Sequence, residues 1–192
     1  MKQIPLTKGQ VALVDDADYL WLSGYRWCFS SDGYAVNYYW DETGTKRKRS
    51  MHRLLMAEIL EHRVPRDLQV DHINHQRIDN RRENLRLATR SQNQAYKGLQ
   101  VNNTSGYKGV VPNRRKYEVR IRYQGKRFYL GLYTDPVKAA LVYDGAARLL
   151  YADFAGVNFP DRPTPPEIEQ LVIQRLKKKG IVLPRAVIGL SA

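Results

Sequence analysis

Hydrophobic and polar positions alternate over short stretches in the first part of the chain. Residues 11–14, 25–29 and 34–40 are rich in β-branched and aromatic side chains, which favour strands. Turn-forming residues separate these stretches: Asp15-Asp16, Ser31-Asp32-Gly33 and Thr43-Gly44. The pattern predicts a small antiparallel sheet in residues 1–50. The basic run at residues 46–49 predicts a solvated loop, with a phosphate contact as the alternative.

The period of the pattern becomes helical after residue 50. Four apolar residues recur near the helical spacing: Leu54, Leu55, Ile59 and Leu60. We therefore predict a short helix over residues 51–61 that ends before Pro65. Residues 69–98 predict a strand, a long polar loop, a second short strand and a helix beginning near Ser91. A segment of Gly, Asn and Ser at residues 102–106 predicts a domain boundary.

Strict alternation returns after this boundary. Residues 117–123 alternate between apolar and charged side chains, which predicts a half-buried strand. Gln124-Gly125 forms a turn into a second strand over residues 126–130. Asp135 and Pro136 then provide an N-cap and a first-turn proline for a helix with one small, apolar face. Residues 167–179 predict a final helix with a basic end.

Composition adds charge to this picture. The 192 residues carry a formal net charge of +13, which attracts nucleic acid, acidic membranes or acidic proteins. No apolar run reaches the roughly 20 residues that cross a bilayer, and the first ten residues lack a signal-peptide core. We expect no membrane partner, and a cytoplasmic location in a prokaryotic or phage-infected cell. The single cysteine, Cys28, excludes a cysteine-based zinc site and predicts a small core residue.

The candidate chemistry lies in the middle of the chain. All 4 histidines fall between His52 and His75. Three polar motifs share this region: Val70-Asp71-His72-Ile73-Asn74, Asn80-Arg81-Arg82-Glu83-Asn84-Leu85-Arg86 and Thr89-Arg90-Ser91-Gln92-Asn93. From His52 to Asn93, their order and spacing resemble the HNH nuclease family. The resemblance is to the variant of phage and intron homing endonucleases in which asparagine replaces the last histidine.

Phosphodiester hydrolysis explains why such residues occur together. A base must activate water, and the imidazole pKa near 6.5 suits that task. A cation must neutralise charge on the phosphate, and hard divalent ions prefer carboxylate and amide oxygens. The resemblance implies that His72 is the general base, that Asp71 and Asn93 are metal ligands, and that Asn84 bridges the loop and orients the base. The final asparagine favours Mg²⁺, with Mn²⁺ as the alternative.

Two geometric expectations follow for this region. Neighbouring residues on a strand point to opposite faces, so the strand must bend or end at Asp71 and His72 for both to reach one phosphate. The resemblance implies a β-hairpin and a helix around one metal. The role of His52 stays open between packing and a phosphate contact, whereas His62 and His75 are predicted to be exposed.

A dense group of cations follows the predicted boundary, with Glu118 as the single acidic residue among them. Its members are Lys108, Arg114, Arg115, Lys116, Arg120, Arg122, Lys126 and Arg127. Five motifs in the same part of the chain resemble, in order, the AP2 domain: Tyr107-Lys108-Gly109-Val110, Tyr117-Glu118-Val119-Arg120-Ile121-Arg122, Leu130-Gly131-Leu132-Tyr133, Ala139-Ala140-Leu141-Val142-Tyr143-Asp144-Gly145-Ala146-Ala147 and Asn158-Phe159-Pro160.

The AP2 resemblance implies a three-stranded sheet, backed by a helix, that enters the DNA major groove. It makes the cations candidate DNA-binding residues, since arginine can fork onto guanine and lysine mainly binds phosphate. The alternation independently predicts that Lys116, Arg120 and Arg122 face away from the helix. Plant AP2 factors carry arginines where Val111 and Asn113 stand here, so base specificity cannot be transferred.

The sequence as a whole predicts an α+β protein in four segments. These are a β-rich region at residues 1–50, an HNH nuclease core at 51–98, an AP2-like domain at 104–160, and a Pro-rich linker with a basic helical tail at 161–192. The predicted function is a homing-type, metal-dependent endonuclease that binds double-stranded DNA. The alternative is a sequence-specific DNA-binding regulator with an inactive HNH core. RNA binding is disfavoured because the AP2-like aromatic side chains are predicted to point into the core.

Overall fold

The computed structural model describes residues 1–99 and 101–183, and the chain divides into two compact units at Arg90 and Ser91. Both units combine helices with small antiparallel sheets, which confirms the predicted α+β class. None of the helices in these two stretches has the length and apolarity needed to cross a membrane.

The first unit contains three small sheets and two helices. Its two-stranded sheets pair β1 (Lys2–Pro5) with β2 (Val11–Val14), and β6 (Leu68–His72) with β7 (Leu85–Thr89). Its three-stranded sheet contains β3 (Cys28–Phe29), β4 (Ala35–Trp40) and β5 (Lys46–Ser50). Its helices are α1 (Asp16–Ser23) and α2 (Met51–Leu60).

One hydrophobic core joins these elements. Val14 and Leu22 from the first 50 residues are fully buried, and they share this core with Met51 and Leu55 of α2. Val70 of β6 belongs to the same cluster. The β-rich region and the HNH-like segment therefore pack as parts of one unit, in which the apolar face of α2 supports the β6–β7 pair.

The structure departs from the sequence-based prediction at the basic run. Residues 46–49 belong to β5 and pair with β4, whereas a loop was predicted. Backbone hydrogen bonding to β4 holds this strand, so its side chains need no apolar alternation. Lys46, Arg47 and Lys48 are solvent-exposed, as predicted. Cys28 lies in β3 and is partly exposed, so the prediction that it is a core residue is wrong.

The second unit contains one three-stranded sheet and two long helices. Helix α3 (Arg90–Tyr96) spans the boundary between the units. The sheet has the order β10-β9-β8, formed by β8 (Val110–Asn113), β9 (Lys116–Tyr123) and β10 (Lys126–Tyr133). The helices are α4 (Pro136–Tyr151) and α5 (Pro166–Lys178). The predicted N-cap of α4 is confirmed, because Asp135 Oδ1 accepts a hydrogen bond from the Val137 amide at 2.8 Å.

Helix α4 packs closely against the sheet. Val119, Ile121 and Leu130 of the sheet share one core with the small residues of α4, among them Ala139 and Ala146. A glycine on the loop before β8 also permits this approach. Gly109 has a φ of 72°, and a Cβ there would lie 1.9 Å from Cδ2 of Tyr143 on α4. The second unit is therefore an apolar sandwich of sheet and helix.

Candidate active site

Strand β6 ends at His72, which places the two candidate residues at its last two positions. Asp71 stands opposite Arg86 of β7, whose Nε and Nη2 lie 3.1 and 3.0 Å from Asp71 Oδ2. The His72 ring instead lies near the rings of Tyr34 and His52. The strand therefore ends where the sequence predicted, and the two side chains have different neighbours.

His72 is buried, with 4% of its surface exposed. Its Nε2 lies 3.4 Å from Oδ1 of Asn80, which is itself fully buried. Burial lowers the pKa of His72, and the hydrogen bond to Asn80 opposes this shift. The lowered pKa favours the neutral imidazole at neutral pH, and only the neutral imidazole can accept a proton.

His52 lies beside His72 at the start of α2. The two rings are 5.2 Å apart between centroids and nearly perpendicular, and the Tyr34 ring lies 4.9 Å from His52. Burial, and next the charge of nearby His72, lower the pKa of His52 to about 3. Of the two alternatives left open for His52, the structure supports packing, because this ring is buried against another imidazole.

Asn84 ties the loop between β6 and β7 together. Its Oδ1 accepts a hydrogen bond from the Asn74 amide at 2.9 Å. Its Nδ2 donates to Asn74 Oδ1 at 2.9 Å and to the Asp79 carbonyl at 2.7 Å. Asn84 therefore joins distant parts of the loop by hydrogen bonds, and the loop follows His72 directly.

Asp79 extends this network. Its carboxylate is buried and accepts hydrogen bonds from Asn74 Nδ2 at 2.7 Å and from Arg81 Nη2 at 2.7 Å. The hydrogen bond from Arg81 is the main reason that the pKa of Asp79 is lowered. Neither Asp79 nor the His72 partner Asn80 was predicted as a site residue. Both stand at or next to the start of the second polar motif, and that position was the available signal.

The loop is also attached to the N-terminal elements. Arg82 donates to both oxygens of buried Asp18 on α1, at 2.8 and 2.7 Å. The Asn80 amide donates to the Leu13 carbonyl at 2.8 Å, so the loop joins the edge of β2. These contacts give the N-terminal region a structural role in holding the candidate site.

The β8–β9–β10 sheet presents the predicted cations to solvent. Val119 and Ile121 of β9 are buried in the core, and the alternate residue Arg122 is exposed. The other exposed cations are Arg114 and Arg115 between β8 and β9, and Lys116, Lys126 and Arg127 on the strands. Lys126 stands opposite Tyr123, so it lies on the other face of the sheet from Arg122. Arg122 stands directly opposite Arg127 across two strands, an arrangement in which like charges repel. A bound anion would relieve that repulsion.

Comparisons with known proteins agree with this geometry. A family model described as HNH endonuclease matches residues 52–95, which begin at His52 and include Asp71, His72, Asn84 and Asn93. A protein of Acanthamoeba polyphaga mimivirus, described as an uncharacterised HNH endonuclease, is 31% identical over 151 residues. The match covers 79% of this chain and 76% of the viral protein. The chain belongs to the HNH endonuclease family.

Two plant proteins also match part of this HNH family member. An ethylene-responsive transcription factor of Arabidopsis thaliana is 38% identical over 80 residues, covering 34% of the chain and 40% of that protein. A dehydration-responsive element-binding protein 2A of Oryza sativa subsp. indica is 37% identical over 75 residues, covering 36% and 27%. The predicted resemblances to HNH nucleases and to the AP2 domain are both confirmed.

Two of the predicted DNA-binding residues, Lys108 and Arg120, differ from the other cations in their burial or their partners. Lys108 is partly buried, and its ammonium donates to the carbonyls of Ala95 and Lys97, at 2.5 Å to Lys97. Burial lowers the pKa of Lys108 to about 8. These contacts hold the end of α3, so they do not support its assignment as a DNA-binding residue. Arg120 is ion-paired with Glu118, at 2.8 Å between Nη2 and Oε2.

The two metal ligands predicted for the HNH core belong to different units of the chain. Asp71 lies in the first unit, whereas Asn93 lies on α3 after the boundary, so their joint coordination of an ion stays a prediction. In residues 1–99 and 101–183, no group of three His, Cys, Asp or Glu side chains could hold a metal. The two predicted ligands would offer a carboxylate and an amide oxygen, which are donors that a hard cation prefers.

Proposed function

We propose that this HNH family member is a homing-type, metal-dependent endonuclease that hydrolyses phosphodiester bonds in double-stranded DNA. The observation that carries the proposal is the buried His72 at the end of β6, next to Asp71 and beside a loop braced by Asn84. A base held rigidly next to a carboxylate is the arrangement that hydrolysis of a phosphodiester needs. We place the protein in the cytoplasm of a prokaryotic or phage-infected cell.

His72 is the proposed general base. Its imidazole accepts a proton from the water that attacks the phosphorus atom, while the 3′-oxygen leaves. The hydrogen bond between His72 Nε2 and Asn80, and the packing of Tyr34 and His52, fix the orientation of the ring. Asn84 acts through the loop that follows His72, and it is a positioning residue.

HNH nucleases generally use a divalent metal, and the donor chemistry here fits Mg²⁺. Both Arg86 contacts reach Oδ2 of Asp71, and Oδ1 is the oxygen that we assign to the cation. The Asn93 amide oxygen is the proposed second ligand, with Mn²⁺ as an alternative ion. When bound, the cation supplies positive charge that stabilises the transition state and the leaving oxygen.

The AP2-like sheet is the proposed targeting surface. Lys116, Arg122 and Arg127 of β9 and β10 form a basic face opposite the apolar core. The direct pairing of Arg122 with Arg127 favours an anionic partner, because the repulsion between them falls when phosphates lie over them. We propose that this face binds duplex DNA and increases the time that the nuclease core spends at a target.

One observation favours the alternative of a DNA-binding regulator. The Asp71–Arg86 ion pair joins a buried carboxylate to a partly buried guanidinium and could hold the β6–β7 pair without any metal. Incubation of the full chain with supercoiled plasmid and Mg²⁺ distinguishes the two functions. The endonuclease converts plasmid to nicked or linear forms, and the regulator binds it without cleavage.

A pair of histidine variants tests the assigned base. His72→Ala should lower the cleavage rate about 100- to 10,000-fold, the usual contribution of general base catalysis, with DNA affinity nearly unchanged. His62→Ala is the matched control, because His62 is exposed and lies away from β6. A His72→Ala protein that is folded by its melting curve and still cleaves within tenfold of the parent would refute the assignment.

A further inference from the structure

The β4–β5 hairpin carries a surface that the nuclease core and the AP2-like sheet leave unexplained. In this antiparallel pair, Tyr38 stands opposite Lys48, and Trp40 stands opposite Lys46. Opposed residues share one face of a sheet, and residues two apart along a strand share it as well. Tyr38, Trp40, Lys46 and Lys48 therefore form one face, which we call the hairpin outer face.

Two large aromatic side chains on this face are exposed. Trp40 is 69% exposed and Tyr38 is 47% exposed, whereas Trp27 of the same unit is 5% exposed and packs in the core. The ammonium of Lys46 lies 5.0 Å from the centre of the Tyr38 ring. Exposed rings interleaved with cations suit nucleic acid, because the rings pack on sugars or bases while the ammonium groups contact phosphates.

The cations of the opposite hairpin face are already engaged. Arg47 donates to Asp41 at 2.6 Å, and Arg49 lies 3.8 Å from the centre of the Tyr39 ring. On the outer face, Lys48 meets Asp32 at 3.7 Å, and both side chains are about half-exposed. Ion pairs of that kind contribute little stability, so a phosphate can compete for Lys48. Lys48 is therefore available to a phosphate, and exposed Lys46 lies beside it on the same face.

The outer face begins at the candidate active site. Tyr34, just before β4, contacts the rings of both His52 and His72. Strand β5 runs directly into α2, so Lys48 stands four positions before His52. Burial is the main cause of the low pKa of His52, and Lys48 is one of the charges close enough to add to it. The hairpin thus extends outward from the histidine pair within one unit.

We propose that the hairpin outer face binds the DNA backbone next to the scissile phosphate. The proposal rests on the proposed function, since it assumes that His72 acts on a DNA phosphodiester. A strand rises about 3.3 Å per residue, so the face reaches roughly 7 Å along β4 from Tyr38 to Trp40. One DNA strand advances about 3.4 Å per nucleotide along the helix axis, and the face therefore spans about two nucleotides. It fixes the position of the cut strand without reading bases.

A charge-removal pair tests this surface in the full chain. Lys46→Gln/Lys48→Gln removes two charges from the outer face. Lys8→Gln/Arg66→Gln removes two charges from exposed positions elsewhere in the same unit. Fluorescence anisotropy with duplex DNA at several salt concentrations gives the slope of log K against log salt. The hairpin variant should lower the magnitude of this slope by about 1.8, or 0.9 for each lost phosphate contact, and the control should change it much less.

Tryptophan fluorescence provides a second, local measurement. Of the 3 tryptophans, Trp40 alone lies on the hairpin, so DNA binding should change its emission. Trp40→Phe should abolish most of the DNA-induced change, and Trp21→Phe on α1 should retain it. Trp40 does not belong to the hydrophobic core of the first unit. The melting temperature of Trp40→Phe should therefore lie within about 2 °C of that of the parent, as for ordinary surface changes.

The outcomes separate this inference from the function on which it rests. If the parent neither binds nor cleaves DNA, the proposed function fails and the hairpin proposal fails with it. If the parent cleaves and the hairpin variant matches its charge control in salt slope, only the hairpin proposal is wrong. A hairpin variant that loses affinity for single-stranded RNA and keeps its affinity for duplex DNA would also overturn the proposal.

Discussion

The two units of the chain differ in where their polar residues lie. The first unit buries a network of them beside its core, including Asp18, His52, His72, Asp79 and Asn84. Among the charged residues described in the second unit, Asp144 is the one that is buried, and most cations of its sheet are exposed. The first unit holds groups in fixed orientation, and the second unit presents charge to a partner.

This difference matches two kinds of work. A buried polar group is costly unless its hydrogen bonds are made, so a unit that buries many is rigid at those positions. Rigid orientation suits proton transfer, whereas exposed side chains on a sheet suit adjustable contacts with a backbone of phosphates. Substitutions in the first network should therefore change stability and activity together. Substitutions on the second unit's sheet should change binding alone.

The largest expected effect is a loss of stability in the second unit, caused by a substitution that disturbs its packing. Gly109→Ala would place a Cβ inside the ring of Tyr143, at a φ of 72° that other residues tolerate poorly. Overpacking and left-handed strain together should lower the free energy of unfolding of this unit by roughly 4 kcal/mol. Calorimetry of the full chain measures the loss as an earlier melting transition.

Gly125→Ala is the matched control for that experiment. Gly125 has a φ of 78°, but a Cβ there meets no atom within 4 Å. The control isolates the backbone strain, for which we expect a loss of about 1–2 kcal/mol. Equal losses for the two variants would show that the contact between Gly109 and Tyr143 does not limit the packing of α4 on the sheet.

The next effect concerns the ionic network of the first unit. Arg82→Ala leaves the carboxylate of Asp18 buried without its partner. Losing one partner of a buried pair costs about 3–5 kcal/mol, and we expect the lower end because Arg82 is 43% exposed. Urea unfolding of the parent and the variant measures the difference. A loss below about 0.5 kcal/mol would mean that water replaces Arg82 at no cost.

The same pair predicts a pH dependence. The hydrogen bond from Arg82 holds the pKa of Asp18 below its usual value in the folded state. The stabilisation is therefore fully present above the unfolded pKa of about 3.9, and it is lost as the pH falls through the folded value. The difference in stability between parent and Arg82→Ala should be constant from pH 7 to about pH 5 and should shrink below pH 4.

A smaller effect on stability is expected at Asn84, which holds the loop between β6 and β7 by hydrogen bonds. Asn84→Ala removes the three hydrogen bonds that join the loop to Asn74 and Asp79. We expect a loss of about 2 kcal/mol in stability, since the partners become unsatisfied in a partly buried loop. Cleavage should fall together with stability. Asn84→Asp, which keeps the acceptor for the Asn74 amide, should recover part of both.

The sequence predicted the second unit more completely than the first. The strict alternation of β9 and the Asp135-Pro136 start of α4 are local signals, and the structure contains both elements. The β6 strand was also predicted, with a bend or an end at Asp71 and His72, because both side chains had to reach one phosphate, and the strand ends at His72. In each case, the residues that determine the element are neighbours in the chain.

What the sequence did not predict depends on distant contacts. Strand β5 carries no apolar alternation, and only its backbone pairing with β4 makes it a strand. The packing of His52 on His72 brings the start of α2 to the end of β6. The hydrogen bond from His72 Nε2 to Asn80 Oδ1 requires the folded loop between them. None of these contacts has a periodic signal that would separate it from a solvated polar segment.

The smallest expected effect lies on the sheet face of the second unit, where Arg120 and Arg122 differ in their ion pairing. Arg120 is ion-paired with Glu118, and no ion pair involves Arg122 among residues 1–99 and 101–183. Arg122→Gln should therefore lower the magnitude of the salt slope of DNA binding by about 0.9, as expected for one phosphate contact. Arg120→Gln should lower it by less, and Glu118→Gln should raise the affinity by freeing Arg120. Melting temperatures should stay unchanged, because these side chains project away from the core.

If the two arginine variants have equal slopes, Glu118 does not restrain Arg120 in the complex. If either variant also loses affinity selectively for a preferred site, that arginine reads a base, a contact that contributes about 1–3 kcal/mol of discrimination.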